Sequence, residues 1–166
     1  MPEGESGERT REQSRKGKSP STQAGEFVRE EMRHIREGKH GARSTKQAIA
    51  IGLSKARRAG VNLPAPTRGK TSERTRAAAA RAYKAGQQSP RHKPSTTRSR
   101  AILVALQREG HAAASPASLA RHARASARRR GAGSRHRAAL EAVRTKGPEG
   151  LRRSARKAAR TRLMHG

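Results

Sequence analysis

The residues of this 166-residue chain with the clearest chemical capability are its arginines. Arg128, Arg129 and Arg130 form an unbroken triplet. Arg98 and Arg100, and again Arg135 and Arg137, stand at the head of two short apolar stretches, and Arg152, Arg153, Arg156, Lys157, Arg160 and Arg162 crowd the C-terminus. A guanidinium donates two parallel hydrogen bonds to one phosphate, and each neutralised phosphate releases condensed counterions. These thirteen side chains are the expected contacts to the phosphate backbone of DNA or RNA. The rest of the composition points the same way. Forty Lys and Arg oppose twelve acids, all Glu, for a formal net charge of +28. Residues 1–66 hold fourteen bases and eight acids, while residues 67–166 hold twenty-six and four. Such an excess repels itself unless a polyanion or salt relieves it.

Other chemistries find little footing. With no Cys, thiol catalysis, disulfides and thiolate metal sites are absent from the chain. Seven histidines (His34, His40, His92, His111, His122, His136 and His165) show no His-x-x-x-His spacing with a third ligand, so no metal and no cofactor is expected. Gly69-Lys70-Thr71 ends like a phosphate loop but lacks the preceding glycine spacing and strand. There is no Asp to pair with the widely separated glutamates after residue 67, and no catalytic residue is expected. Tyr83 is the lone aromatic of the basic region and reads as packing against alanines, which argues against an aromatic-lined single-strand groove.

Few elements can position these groups. Hydrophobic residues make up 31% of the chain, many of them Ala, with one Phe, one Tyr and no Trp. Burying a large apolar side chain contributes about 1.5–3 kcal/mol, against about 1–2 kcal/mol lost per ordered backbone residue. A core spanning the whole length is therefore not expected, and high charge with low hydropathy favours disorder in parts. Residues 1–21 read as a flexible arm. Residues 22–60 read as a helical hairpin: Ala24, Phe27, Val28, Met32 and Ile35 share one helical face, with Glu26, Glu30, Glu31 and Glu37 assigned to the polar side. A Gly38–Arg43 turn follows. Ser44 and Gln47 then make a capping box for a second helix with an Ile49/Leu53/Ala56 stripe, widened by the small Ala48, Gly52 and Ala59. Ile51 falls off that stripe. Residues 61–71, with Pro64 and Pro66, read as a linker.

The Ala/Arg-rich region 72–166 has helical grammar over about 72–85, 97–109, 116–130, 135–145 and 149–163, punctuated by Gly86, Gly110, Gly131 and Gly147. Ser115-Pro116 is a helix start. The fold class expected is all-α: an N-terminal αα-hairpin followed by a basic, partly disordered helical tail. Within the hairpin, Thr45, Lys46, Gln47, Arg57 and Arg58 are candidate contacts. A helix-turn-helix would bring Thr45, Lys46 and Gln47 to base edges. The simpler packing hairpin is preferred, because no later segment declares itself as the third helix.

Ser44-Thr45-Lys46-Gln47-Ala48-Ile49-Ala50-Ile51-Gly52-Leu53-Ser54-Lys55-Ala56-Arg57, preceded by Phe27–Lys39, resembles the signature of an uncharacterised family of small basic bacterial proteins. The resemblance covers residues 24–60. Thr45 stands where that pattern more often has a basic residue, and the turn here is shorter. It implies a recurring bacterial module and supplies no catalytic residue.

The expected function is non-enzymatic, largely sequence-independent DNA or RNA binding, extending to a nucleoid-associated role. One alternative is an adaptor whose hairpin binds a protein or self-associates, and another is a ribosome- or RNA-associated protein. Met1–Glu5 lack the basic start and apolar run of a signal peptide, and no apolar stretch is long enough to span a bilayer. A cytoplasmic location and no membrane partner are therefore expected.

Overall fold

A computed structural model describes residues 3–88 and 95–165, and these form an all-α fold. Its elements are α1 (Glu3–Arg15), α2 (Pro20–Arg36), α3 (Thr45–Arg58), α4 (Glu73–Gln87), α5 (Thr96–Gln107), a 3-10 turn (Ala112–Ala114), α6 (Pro116–Arg129) and α7 (Gly131–His165). The chain divides into two compact units, 1–120 and 121–166.

In the first unit α2 and α3 form the hairpin that the apolar spacing predicts. Ser19 caps α2, with Pro20 in its first turn. Ser44 caps α3 by accepting from the Gln47 backbone N–H at 3.2 Å. The return bond of the capping box lands one residue early: Gln47 Oε1 accepts from the Arg43 N–H at 2.9 Å. Gly52 lets the helices touch, since a Cβ there would sit 2.7 Å from Val28 Cα.

Two small clusters fill the hairpin. Met32, Ile35, Ala42, Ala48, Ala113 and Ala114 form one, with Val28, Ile49 and Leu119 packed against it. Ala24, Phe27, Ala56 and Val61 form the other, with Leu53, Ala59 and Leu63 against it.

The hairpin does not stand alone. α4 packs on α3, turning its small face of Ala79, Ala82 and Gly86 inward. A Cβ on Gly86 would collide with the Arg57 carbonyl. The segment expected to be a linker also contributes, through buried Val61. Charge balance changes at residue 66, but packing continues through α4, because alanines and a glycine on one of its faces suffice for contact.

Two further features complete this unit. The segment read as a flexible arm contains α1, which packs on α2 through a hydrogen bond from Gln13 Nε2 to Glu26 Oε1 at 2.8 Å. The polar side of α2 is also not a solvent face, because Glu26, Glu30 and Glu31 are buried. The apolar pattern marks only the side facing α3. With α1 and the 3-10 turn also packed against it, α2 is covered on more than that side.

The second unit is helical but coreless: no described residue from 121 to 164 is buried. Within α7, Gly147 (φ 63°, ψ 178°) interrupts the helix and Pro148 follows it, so two helical segments meet where the Gly-Pro pair stands. Among the described residues, no helix is long and apolar enough to cross a membrane.

Candidate nucleic-acid interface and a buried His/Glu cluster

The arginines expected to meet phosphate are all exposed. Their angular positions decide which can act together. At about 100° per residue, Arg152, Arg153, Arg156, Lys157 and Arg160 fall within an arc of about 140° on the second segment of α7, and Arg162 falls outside it. Arg152 also donates from Nη1 to Glu149 Oε1 at 2.8 Å. On α6, Arg128 shares a row with Arg121 and Arg124, whereas Arg129 turns away from it and Arg130 lies past the end of the helix. The pairs Arg98/Arg100 and Arg135/Arg137 are two residues apart, which puts their side chains about 200° apart around a helix. Neither pair makes a single clamp. Arg135 Nη1 donates to the Ala127 carbonyl at 3.3 Å.

The hairpin candidates divide differently. Thr45 is buried and its Oγ1 donates to the Ala113 carbonyl at 2.7 Å. Arg57 is buried too, donating from Nε to Leu63 O at 3.0 Å and from Nη2 to Pro64 O at 3.4 Å; burial pushes its guanidinium below the usual Arg range. Gln47 is half-buried and serves the cap. Lys46 and Arg58 are exposed. The 3-10 turn thus covers the end of α3 that a helix-turn-helix would insert into a groove, and Thr45 is a structural residue. Tyr83, half-buried, donates its hydroxyl to Asn62 Oδ1 at 2.7 Å rather than offering a stacking platform.

A second polar constellation escaped the sequence reading. Glu31 and His34, on α2, and His40, in the following turn, are all buried, and one ligating atom from each lies within 4.8 Å of the others. The His34 and His40 rings meet edge-on, with centroids 6.1 Å apart. His40 Nδ1 lies 3.2 Å from the Gly41 carbonyl, and its Nε2 lies 3.5 Å from Glu31 Oε1. Lys55 Nζ reaches from α3 to within 2.7 Å of Glu31 Oε2. That ammonium balances the buried carboxylate, yet it lies off the hydrogen-bond direction, and both Glu31 oxygens remain without a hydrogen bond among the described residues. His34 Nε2 is also without one, and Glu30 Oε1 is 3.8 Å away. Burial, then the charge of Lys55, holds the His34 imidazole below its ordinary range.

The signal was present in the chain. Glu31-x-x-His34 places a carboxylate and an imidazole on one helical face, and the Gly38 turn swings His40 back over them. A search for His-x-x-x-His alone passes over this arrangement. His92 lies outside the described residues.

Residues 15–66 are similar to the Family of unknown function (DUF6496). The match contains the whole helical hairpin, the end of α1, and the Glu31/His34/His40/Lys55 cluster. The chain matches no curated protein and no solved structure.

Proposed function

We propose that the chain is a non-enzymatic nucleic-acid-binding protein that grips the phosphate backbone with little sequence preference, DNA ahead of RNA, in the bacterial cytoplasm and at the nucleoid. The observation that carries this reading is the five-cation arc on α7, within a stretch from Arg121 to Gly166 that holds fifteen Lys and Arg and two Glu. Every Lys and Arg of that stretch is exposed. Coreless, self-repelling helices are marginal in water, so phosphate would both neutralise and order them, at an entropic cost that lowers affinity per contact.

The test is a binding titration of the full chain on unrelated DNA and RNA duplexes at several salt concentrations, with helicity followed in parallel. Steep salt dependence, similar affinity across sequences and a rise in helicity are expected. Salt-insensitive binding, or a large preference for one sequence, would contradict the proposal.

The adaptor reading has one observation in its favour. Ile102, Leu103 and Val104 on α5 are 55%, 45% and 43% exposed. A protein complex lost on Ile102→Glu, with no nucleic acid retained by the full chain at physiological salt, would favour it.

A further inference from the structure

We propose that Glu31, His34 and His40 form a binding site for one divalent transition-metal ion of the zinc type, held by two imidazoles and one carboxylate beneath the turn that joins α2 to α3.

The donor set is the starting point. Imidazole nitrogen and carboxylate oxygen are ordinary zinc ligands at about 2.0–2.2 Å, which puts neighbouring donors of a tetrahedral site about 3.3 Å apart. The Glu31 Oε1 to His40 Nε2 separation of 3.5 Å already fits. The remaining separations, up to 4.8 Å, need a contraction that side-chain rotation can supply. The unmet hydrogen-bonding capacity is the second point. The site gathers ligating atoms: a carboxylate with neither oxygen hydrogen-bonded, a His34 Nε2 with no hydrogen-bond partner, and a His40 Nε2 at 3.5 Å from Glu31 Oε1. Glu31 is fully buried, and the side chains of His34 and His40 are each 8% exposed. A carboxylate and two imidazoles converging in a low-dielectric interior are satisfied by a cation held between them. The His40 Nδ1 contact to the Gly41 carbonyl is the outer partner that orients a ligating histidine.

Lys55 is the local competitor. Its ammonium pairs with Glu31 when no ion is present and is repelled when a dication enters. Its side chain is 32% exposed, which gives it a route to solvent. The burial of all three ligands makes the ion a fastener between helix and turn rather than an open catalytic centre. Such a tie suits a unit whose core rests largely on alanines. The site does not depend on the nucleic-acid reading.

The experiment uses the full chain, stripped with chelator, and Zn2+ alone as the probe. Zn2+ titration followed by calorimetry and thermal melting should give one equivalent bound with a rise in Tm. Co2+ in its place should give the visible absorption of a four-coordinate site, with a water as the fourth ligand. His40→Gln and Glu31→Gln should each weaken Zn2+ binding by about 100-fold or more, beyond the effect typical of an outer-shell partner. Lys55→Met should tighten it by about tenfold or more, since it removes a repelled ammonium. His122→Gln, outside the cluster, should leave affinity unchanged. Circular dichroism establishes which variants remain folded, and His40→Gln, altered only in the turn, decides if Glu31→Gln does not. No bound equivalent in the full chain overturns the proposal, as does equal binding by folded His40→Gln. So does a Lys55→Met protein that is destabilised and gains nothing from Zn2+, because Lys55 would then be the sole cation the cluster requires.

Discussion

Replacing Arg153, Arg156 and Arg160 together by Gln removes three of the five cations on the α7 arc and preserves the helix, since Gln and Arg have similar helix propensity. From Arg152 to Arg160 the helix rises about 12 Å, and that length of duplex axis carries about seven phosphate charges at one per 1.7 Å. Five contacts are therefore geometrically available. At about 0.9 per neutralised phosphate, the arc alone contributes about 4.5 to the slope of log affinity against log salt, or about a 500-fold loss between 50 and 200 mM. The triple variant should have a slope shallower by about 2.7, by the same amount on every duplex, because phosphate contacts carry no sequence information. Arg162→Gln, off the arc, should change the slope by less than any substitution on it. Fluorescence anisotropy with two or more unrelated duplexes over that salt range measures all of this, with circular dichroism confirming unchanged helicity. An unchanged slope in the triple variant, or a loss confined to one duplex, refutes the assignment of the arc as the phosphate-binding face.

The other expectations concern the hairpin and the division of the chain. Residues 1–120 should unfold cooperatively and bind nucleic acid weakly, whereas a chain ending at Pro66 lacks α4 and the 3-10 turn and should melt broadly; calorimetry distinguishes the two. Leu53→Asp puts a charge against the Phe27/Val61 cluster and should cost about 2–4 kcal/mol in chemical denaturation. Gly52→Val drives a side chain into the Val28 backbone and should cost at least about 1–3 kcal/mol in the same assay. Thr45→Val leaves the Ala113 carbonyl without its donor and should cost about 1–2 kcal/mol, with DNA affinity unchanged in anisotropy; a large affinity loss in a folded Thr45→Val protein would revive the helix-turn-helix.

The two hairpin helices were legible because their information is local: a serine cap, a glycine stop, and apolar residues at helical spacing, with Phe27, Met32 and Ile35 buried as the pattern requires. The starts of α4, α5 and α6 at Ser72, Ser95 and Ser115 are local in the same sense, with each hydroxyl accepting from a backbone N–H three residues on. What could not be read is whatever depends on neighbours remote in sequence. The burial of Glu31 requires α3 to bring Lys55 and the turn to bring His40. Thr45 looks like a solvent-facing residue until Ala113 arrives above it. The inward face of α4 is made of Ala79, Ala82 and Gly86, whose small size gives almost no hydrophobic signal and yet permits the closest approach. The exposed arginines were found by type alone, and their grouping into one arc became visible only once the helical phase and the break at Gly147 were fixed.

The turn between α2 and α3 is held by chain made much later. Gly41 and Ala42 donate their backbone N–H groups to Leu106 and Gly110 at 2.9 and 3.1 Å, Arg36 Nε donates to the Ala114 carbonyl at 2.9 Å, and Ala113 and Ala114 complete the cluster around Ile35. At ribosomal speeds of about 5–20 residues per second, Ile35 waits roughly 4–16 s after its own synthesis for Ala114 to be added. Throughout that interval the emerging hairpin has its helices but not its lid, with Ile35 and the Thr45 hydroxyl open to water. The finished state is thus reached late in synthesis, and a chain stalled before residue 114 presents an apolar patch that the completed protein never shows. Termination before residue 114 would produce a target for chaperones and proteases rather than a smaller working protein.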